Sequence, residues 1–487
     1  MKRRYLYLLF CALLLSANFS GCSETETASD DVVSTTSTET VPEETEEDTS
    51  IFPDMDFGGA GFHMMIRNSR KSLWVSDEQN GEVFNDAIFD RNASLQDHFN
   101  IEITYVELSD DPAEWNAAID NDVMSDSGAY DLVLPDYWYG CETRGNFLNL
   151  LDYTEYFHFD EPWWYAGWND NAVICGQLYN AVGDACLDVV RSMTCVFYNK
   201  TLHESLNLEE LYPLVREGKW TLDKFQEMSS TASIDLNGDG KWTVEDDQFG
   251  GNAHLWSLRG MLFSGGVLCS EVKEDGSVEL LHPSEQFVDC YNKIFELVNT
   301  DPSFLYISGS DIYSPTWIGN SAFIDDRVLF LCTAFSITEA VRDATSDYGI
   351  IPMPKYDEDD DYIGYCFGTC YFAIPKTAKD PVMSAVVSEA MTAASHNGII
   401  PAYYDTLLKS KYSRDAETAE MLDLILDSVV FEFAFVNETA TMQLTNMAAD
   451  GVISKQSNIM SLYMSRLESA KVNLEKFLEQ YRQNAEE

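Results

Sequence analysis

Basic residues are scarce in this sequence. Its 487 residues include 30 Lys and Arg against 82 Asp and Glu, which gives a formal net charge of −52 at pH 7. So negative a chain repels nucleic-acid backbones and anionic membrane surfaces, and neither is expected to be its main partner. Hydrophobic residues still make up 45% of the chain, so we expect a globular body of roughly two to four domains, or one large two-lobed unit.

The short motifs that mark common enzyme classes are also missing. The sequence has no GxSxG, HExxH, Walker A or dinucleotide-binding glycine pattern. Its 11 cysteines show neither CxxC nor Cys/His metal spacing and do not indicate a disulfide framework, although Cys366 and Cys370 could bridge. A glycosidase-like pair of acids carries no information among 82 carboxylates. The sequence therefore gives no positive sign of catalysis.

An apolar run near the N-terminus has the features of a signal peptide. Three basic residues precede Tyr5–Phe19, and these about fifteen residues are too few to span a bilayer as a helix. The run ends in Phe19-Ser20-Gly21-Cys22, which resembles the lipobox of bacterial lipoproteins. The resemblance implies that residues 1–21 are removed and that a lipid on Cys22 anchors the protein to a membrane. The alternative is an ordinary cleaved signal followed by an incidental cysteine.

The segment that follows is acidic and almost free of apolar residues. Residues 23–50 contain ten acids and no base. Such a segment cannot bury enough surface to offset its ordering entropy, and its like charges repel one another. We therefore predict a disordered acidic tether over 22–51, which links the lipid to a folded body.

The folded body begins with an alternation that is typical of α/β folds. The predicted elements are a strand at 61–66, a helix at 86–99, a strand at 101–108, a helix at 111–124 and a strand at 130–134. This order implies a parallel sheet covered by helices. Ligands of such sheets bind outside the carboxyl ends of the strands, so the segment after Leu134 is the first place to expect a site.

Later segments give similar signals. The further predicted strands are 194–198, 328–331 and 348–351. Two amphipathic helices are predicted at 284–299 and 462–481, and three more helices are predicted to start after Asn199, Thr221 and Asp380-Pro381.

The order of several motifs resembles the extracellular solute-binding proteins of bacterial ABC importers, in the group with sugar-binding members. The motifs are Asn149–Asp152, Pro162-Trp163-Trp164, Gly176–Tyr179 with Gly183-Asp184, Val196–Lys200, Gly218–Thr221, Tyr348–Lys355 and Pro401–Tyr404. The resemblance implies an α/β, two-lobed periplasmic-binding-protein-like fold of type II character. Each lobe would be a mostly parallel sheet flanked by helices, and crossover strands would join the lobes. The first lobe would take 52–187 plus 362–436, and the second 188–361 plus 437–487.

A loop with calcium-ligand spacing begins at Asp235. Oxygen ligands at positions 1, 3 and 5, glycine at position 6 and a carboxylate at position 12 match an EF-hand-type loop. The predicted Ca²⁺ ligands are Asp235, Asn237, Asp239, the Lys241 carbonyl and Asp246. Position 12 is Asp rather than Glu, and Glu245 and Asp247 are the alternative ligands there. The alternative is a metal-free turn, and any bound calcium is expected to be structural.

Aromatic residues in predicted loops indicate a site for a solute with apolar faces and hydroxyl groups. Small-molecule pockets combine apolar surface with a few convergent polar groups, and sugars suit flat aromatic rings beside polar side chains. The predicted ligand-binding residues are Asp136, Trp138, Trp163, Trp164, Asn252, His254, Trp256 and Thr369. Core packing is the alternative for each tryptophan and the commoner role of this residue type, because one aromatic ring buries about 150–250 Å².

These observations together predict a non-enzymatic solute-binding protein. By resemblance, we expect it to be a monomer on the extracellular face of the cell membrane. It would capture a small solute, most of all a carbohydrate, and deliver it to an ABC transporter permease by hinge closure. The alternatives are a secreted glycan-degrading enzyme and a surface glycan-binding protein that works without a permease.

Overall fold

The computed structural model describes residues 53–486, except 274–276, 303, 310, 342–343 and 410–415. The predicted signal peptide, the lipid attachment at Cys22 and the acidic tether lie outside the described residues. Within the described ranges, no helix combines the length and apolar character needed to cross a membrane.

A parallel sheet of three strands forms from the first part of the chain. Its strands are β1 (Ala60–Arg67), β2 (Ile101–Leu108) and β3 (Leu132–Val133), in the spatial order β2-β1-β3. Helix α1 (Val83–Phe99) connects β1 to β2, and α2 (Pro112–Ser125) connects β2 to β3. The predicted alternation and its parallel pairing are confirmed.

A second sheet forms from later strands. The remaining strands are, in chain order, β4 (Thr194–Asn199), β5 (Phe249–Ala253), β6 (Ser270–Val272), β7 (Val278–Leu280), β8 (Phe304–Tyr306), β9 (Val328–Ala334) and β10 (Tyr348–Pro352). Strands β6 and β7 form a separate hairpin, and the other five form one sheet in the order β10-β4-β9-β5-β8. Strand β4 runs antiparallel to both of its neighbours, and the other four strands run in one direction. The expectation of two mostly parallel sheets in an α/β fold is confirmed.

Helices cover both sheets. The remaining helices are α3 (Ala166–Ala172), α4 (Asp188–Arg191), α5 (Lys200–Ser205), α6 (Leu211–Arg216), α7 (Leu222–Ala232), α8 (Leu255–Ser264), α9 (Glu285–Asn299), α10 (Ile318–Ile324), α11 (Pro381–Ala394), α12 (Ile400–Lys409), α13 (Ala416–Asp427), α14 (Phe433–Val436), α15 (Met447–Ile453) and α16 (Ile459–Glu486). A π-helical turn at Ser395–Ile399 joins α11 to α12.

The predicted helix starts are capped by side chains. Thr221 Oγ1 accepts the N–H of Lys224 at 3.3 Å, and Ser284 Oγ accepts that of Phe287 at 3.0 Å. Asp380 accepts the N–H of Met383 at 3.0 Å, directly before the proline that starts α11. Each cap satisfies an N–H group that has no partner within its helix, which fixes where the helix begins.

The chain returns from the second sheet to the first after β10. The backbone of this returning segment, residues 366–373, pairs with both sheets through isolated antiparallel β-bridges. Cys366 pairs with Met193, next to the start of β4. Cys370 pairs with Asp136, and Ala373 pairs with Val133 in β3. This segment therefore runs along both sheets and closes the core between them.

The predicted partition of residues between two lobes stays a prediction. Helix α13 packs against β10 of the second sheet. The hydroxyl of Thr418 in α13 lies 3.0 Å from that of Tyr212 in α6. The predicted partition places residues 362–436 with the first sheet, so this helix contacts the other side of the proposed boundary.

The nine cysteines of the described part of the chain are all free, and eight of them are buried. The suggested bridge between Cys366 and Cys370 is not formed, and the Cys366 thiol instead donates to the carbonyl of Gly368 at 3.4 Å. Burial raises the pKa of the Cys290 thiol to about 12. Buried neutral thiols react slowly, whereas Cys175 is exposed.

Candidate ligand-binding site

The carboxyl end of the first sheet carries a buried cluster of charged side chains, the Arg67 cluster. Arg67 is the last residue of β1, and Asp136 follows β3 by three residues. The Arg67 guanidinium contacts Asp136 Oδ2 through one nitrogen and lies 3.1 Å from Asp188 Oδ2 through another. Nε of Arg70 lies 3.3 Å from Asp188 Oδ1. Two guanidinium groups therefore face two carboxylates, and the formal charges of the cluster cancel.

Burial and charge act in opposite directions on this cluster. Burial works to lower the pKa of Arg67, but Asp136 and Asp188 together outweigh burial and raise that pKa above its usual range. For Asp136, burial is the larger effect and raises the pKa to about 6, although Arg67 works to lower it. The cluster therefore holds its charges only because each guanidinium has a carboxylate beside it.

Some polar atoms of the cluster remain unpaired among the described residues. Asp136 Oδ1 has no hydrogen-bond donor, and the hydroxyl of Tyr139 has no partner; both atoms are buried. Buried polar groups are normally hydrogen-bonded, and those left over at a sheet edge are candidates to contact a solute. The predicted site residue Asp136 therefore lies where a hydroxyl group could donate to it.

The returning segment forms one wall beside the cluster. Tyr137 donates its N–H to the carbonyl of Thr369 at 3.1 Å, and its hydroxyl lies 3.4 Å from the carbonyl of Phe367. Thr369 itself is fully buried and donates its hydroxyl to the carbonyl of Cys370 at 2.8 Å. The predicted contact of the Thr369 side chain with a solute stays a prediction. The buried hydroxyl does not support it, because its proton is already donated to a backbone carbonyl.

An aromatic stack lies on the other side of the returning segment. The rings of Trp256 and Phe367 stack with centroids 5.6 Å apart and 18° between planes. The guanidinium of Arg259 lies over the Trp256 ring, 4.8 Å from its centroid. Trp256 was predicted as a ligand-binding residue, and its partly buried ring is close to the turn at Gly368, where an added Cβ would meet no atom within 4 Å.

Two further aromatic side chains approach the Arg67 cluster. Trp138 is 43% exposed and meets the ring of Tyr139 edge-on, with centroids 4.8 Å apart. Tyr313 comes from the long loop between β8 and α10, and the guanidinium of Arg70 lies over its ring, 5.6 Å from the centroid. Exposed large aromatic rings beside a buried polar cluster are suitable surfaces for the apolar faces of a sugar.

Asn252 and His254 lie at the carboxyl end of β5, in the second sheet. Asn252 is fully buried and donates to the carbonyl of Gly319 at 3.1 Å. His254 caps α8, and its Nδ1 accepts the N–H of Trp256 at 3.1 Å. Because β5, β8 and β9 are parallel, their carboxyl ends share one edge, which places both predicted residues at the position expected for a ligand.

Trp163 and Trp164 contact a buried carboxylate on α11. Each indole N–H donates to Glu389 at 2.8 Å, and the N–H of His158 reaches the same carboxylate at 3.2 Å. We interpret these two tryptophans as packing residues of the first sheet. Their predicted contact with a solute stays a prediction that these hydrogen bonds do not support.

The loop that begins at Asp235 is held together by its own side chains. Asp235 accepts the N–H groups of Gly238 at 2.7 Å and Gly240 at 2.8 Å. The side chains of Asn237 and Asp239 each accept an N–H two residues on, at 2.9 and 2.7 Å. Among the described residues, no group of three His, Cys, Asp or Glu side chains is arranged to hold a metal ion.

The carboxylates at the end of this loop differ in exposure. Glu245 and Asp246 are exposed, whereas Asp247 is fully buried and accepts the N–H groups of Leu236 and Thr243 at 3.1 and 2.8 Å. Asp247, suggested as a replacement at position 12, therefore closes the loop onto its own backbone.

Sequence reasoning missed four members of the site: Arg67, Arg70, Tyr139 and Asp188. Arg67 ends β1, so the same sheet-edge argument that selected Asp136 would have selected it. Asp188 lies 121 residues from Arg67 in the sequence, and no local pattern predicts that the two residues pair.

Comparisons with solved structures identify the fold. A substrate-binding protein of an ABC transporter from Listeria monocytogenes, Lmo0181, in complex with cycloalternan, matches with TM-score 0.55 and 11% identity, over 85% of this chain and 99% of that chain. A solute-binding protein from Thermotoga lettingae with bound α-D-tagatose gives TM-score 0.56 and 12% identity, over 85% and 100%. UgpB from Mycobacterium tuberculosis with glycerophosphocholine gives 0.57 and 14%, over 86% and 99%.

The chain therefore has the fold of the substrate-binding proteins of ABC transporters. No protein-family model matches the sequence. No curated protein matches it either. At identities of 11–14%, the structural likeness establishes the fold, and the residues of the site carry the argument for function.

Proposed function

We propose that this protein is a solute-binding component of an ABC importer that captures a small uncharged solute, most of all a carbohydrate. The observation that carries the proposal is the Arg67 cluster at the carboxyl end of the first sheet, which is charge-balanced, buried and flanked by exposed aromatic rings. A solute rich in hydroxyl groups can donate to Asp136 and stack on Trp138, and it brings no charge that would disturb the balance.

The proteins of similar fold support the choice of solute class. Two of the three structures described above contain a cyclic oligosaccharide or a monosaccharide, and the third contains glycerophosphocholine. All three solutes are small and polar. The aromatic rings beside the Arg67 cluster favour a carbohydrate over a solute like glycerophosphocholine.

The location that we propose is the outer face of the cell membrane. Its support is the N-terminal sequence, where an apolar run and the lipobox-like Phe19-Ser20-Gly21-Cys22 precede a long acidic segment. A lipid on Cys22 would hold the folded body near a permease while the tether lets it move. Labelling with a radioactive fatty acid, lost on Cys22→Ala, would test the anchor.

The solute-binding proposal is tested by a thermal-shift screen of monosaccharides, oligosaccharides, polyols and peptides, followed by calorimetry on each compound that shifts unfolding. Binding that stabilises the folded state raises the unfolding temperature with concentration. Recovery of the bound compound unaltered is expected. Cleavage of a glycan would replace this proposal with the glycan-degrading alternative, and binding of peptides alone would contradict the carbohydrate assignment.

We also propose that the loop from Asp235 to Asp246 binds one Ca²⁺ in a structural role. The support is the spacing of Asp235, Asn237, Asp239 and the Lys241 carbonyl, because Ca²⁺ takes six to eight hard oxygen ligands. The exposed Asp246 would have to turn toward the ion, so binding would reorganise the end of the loop.

A further inference from the structure

A buried histidine at the carboxyl end of β5 has a donor without an acceptor. Nδ1 of His254 accepts the N–H of Trp256, so the neutral ring carries its proton on Nε2. Burial lowers the pKa of His254 to about 3, which keeps the ring neutral. Nε2 is buried and, among the described residues, no acceptor lies within hydrogen-bond distance of it.

Trp317 presents a second donor of the same kind beside it. The two rings meet edge-on, with centroids 5.8 Å apart and 81° between planes. The indole Nε1 of Trp317 is also buried and has no acceptor in the described part of the chain. A buried donor without an acceptor loses its hydrogen bond to water and gains nothing in return, so two such donors side by side require an explanation.

The space beside the indole N–H is kept open by a glycine. Gly309 has φ +129°, a conformation that side chains rarely adopt, and a Cβ built there would stand 3.6 Å from Nε1 of Trp317 with no other described atom within 4 Å. The same loop carries Tyr313 to Arg70. Trp317 therefore ends the loop that reaches across to the Arg67 cluster, and His254, at the end of β5, lies against it.

We propose that Nε2 of His254 and Nε1 of Trp317 form a donor pair that binds a hydroxyl or ring oxygen of the solute. This inference rests on the proposed function, and it assigns the two sheets complementary roles. The first sheet offers an acceptor, Asp136 Oδ1, and the second offers neutral donors. A hydroxyl group both donates and accepts, so one polyhydroxylated solute satisfies both sets, whereas a carboxylate or phosphate can only accept.

The alternative occupant is a buried water molecule. Water would satisfy the same two N–H groups in the absence of solute and would make them contributors to stability. The two explanations differ in what happens when one donor is removed, and the difference is measurable without knowing the solute's pose.

Two variants remove one donor each and keep the surroundings. Trp317→Phe keeps an aromatic ring against His254 but lacks the indole N–H. His254→Asn keeps a side-chain oxygen to accept the N–H of Trp256 but lacks the Nε2 donor. The matched control is Trp220→Phe, because Nε1 of Trp220 already donates to the carbonyl of Pro352 at 2.9 Å.

The measurements are calorimetric affinity for the best neutral carbohydrate from the screen and thermal unfolding without solute. For Trp317→Phe and His254→Asn we expect about tenfold weaker binding. For Trp317→Phe we expect a smaller drop in unfolding temperature than for Trp220→Phe, because both variants lose ring volume but only Trp220 loses a hydrogen bond. Trp220→Phe is expected to unfold at a lower temperature and to bind as the wild type does.

Three results are distinguishable. Unchanged affinity in both variants overturns the donor pair while the proposed function stands. A lower unfolding temperature of Trp317→Phe, equal to that of Trp220→Phe and without loss of affinity, assigns the site to water. A wild-type protein that binds no compound in the screen overturns the proposed function, and the donor pair with it.

Discussion

Glu432 makes the stability of this protein depend on pH in a direction that can be calculated. It lies at the start of α14, and its Oε2 accepts the N–H groups of Cys269 at 2.8 Å and Ser270 at 2.9 Å, together with the Ser270 hydroxyl at 3.0 Å. Its Oε1 is buried without a donor among the described residues. Burial raises the pKa of Glu432 from 4.5 to about 7, although these three hydrogen bonds work to lower it.

The sign follows from the raised pKa. The folded state binds the proton more tightly than the unfolded state, so the contribution to stability is complete below pH 4.5 and is lost as the pH rises through about 7. At about 1.4 kcal/mol for each pKa unit, the whole effect is about 3 kcal/mol. About 2 kcal/mol of it falls between about pH 5.5 and about pH 8.

The perturbation is Glu432→Gln, which keeps an oxygen for the three donors and removes the titration. We expect urea unfolding of the wild type to show more loss of stability between about pH 5.5 and about pH 8 than the variant shows, by about 2 kcal/mol. Glu475→Gln, at an exposed position of α16, is the matched control and should follow the wild type. Parallel pH profiles for the wild type and Glu432→Gln would refute the reasoning.

The other predictions concern the charged network, the packing tryptophans and calcium. Arg67→Leu leaves Asp136 buried without its ion-pair partner and Asp188 with Arg70 alone, and it should lower the free energy of unfolding in urea by roughly 3–5 kcal/mol; an unchanged midpoint would contradict the network. Glu389→Gln removes one of the two oxygens that accept the indole N–H groups of Trp163 and Trp164. It should lower the free energy of unfolding by about 1–3 kcal/mol and leave the solute affinity measured by calorimetry unchanged. Weaker binding at unchanged stability would instead support a contact between these tryptophans and the solute. Ca²⁺ should raise and EDTA lower the unfolding temperature, and Asp235→Ala should abolish both shifts; no shift in the wild type would remove the calcium site.

The first sheet could be predicted because each of its elements carries its own pattern. Apolar alternation gave β2 at its observed bounds, and a proline after Asp111 marked the start of α2. Strand β5 was missed, because its sequence Phe-Gly-Gly-Asn-Ala lacks alternation. A Cβ at Gly250 would stand 2.0 Å from the carbonyl oxygen of Ser229, so the glycine is required by the close approach of α7, a contact that no local pattern predicts.

The site was predictable only where a residue follows a strand. Asp136 was selected by that rule and lies at the carboxyl edge of the first sheet. His254 was selected for its predicted loop, and the structure shows that this loop follows β5. The partner of Trp164, in contrast, is a carboxylate 225 residues away, and nothing near either residue in the sequence connects them. Tertiary packing decides whether an aromatic ring is buried against the core or left for a solute.

The burial of eight free thiols affects how the protein behaves outside a reducing cell. While the chain is folded, oxidants meet only Cys175 among the described cysteines. When the chain unfolds in air, all nine described cysteines become available to form disulfides that the folded protein lacks, and each such disulfide prevents refolding. Purification under a reductant should therefore decide whether unfolding is reversible, and Cys175, the exposed cysteine of the described residues, offers a position for a fluorescent reporter.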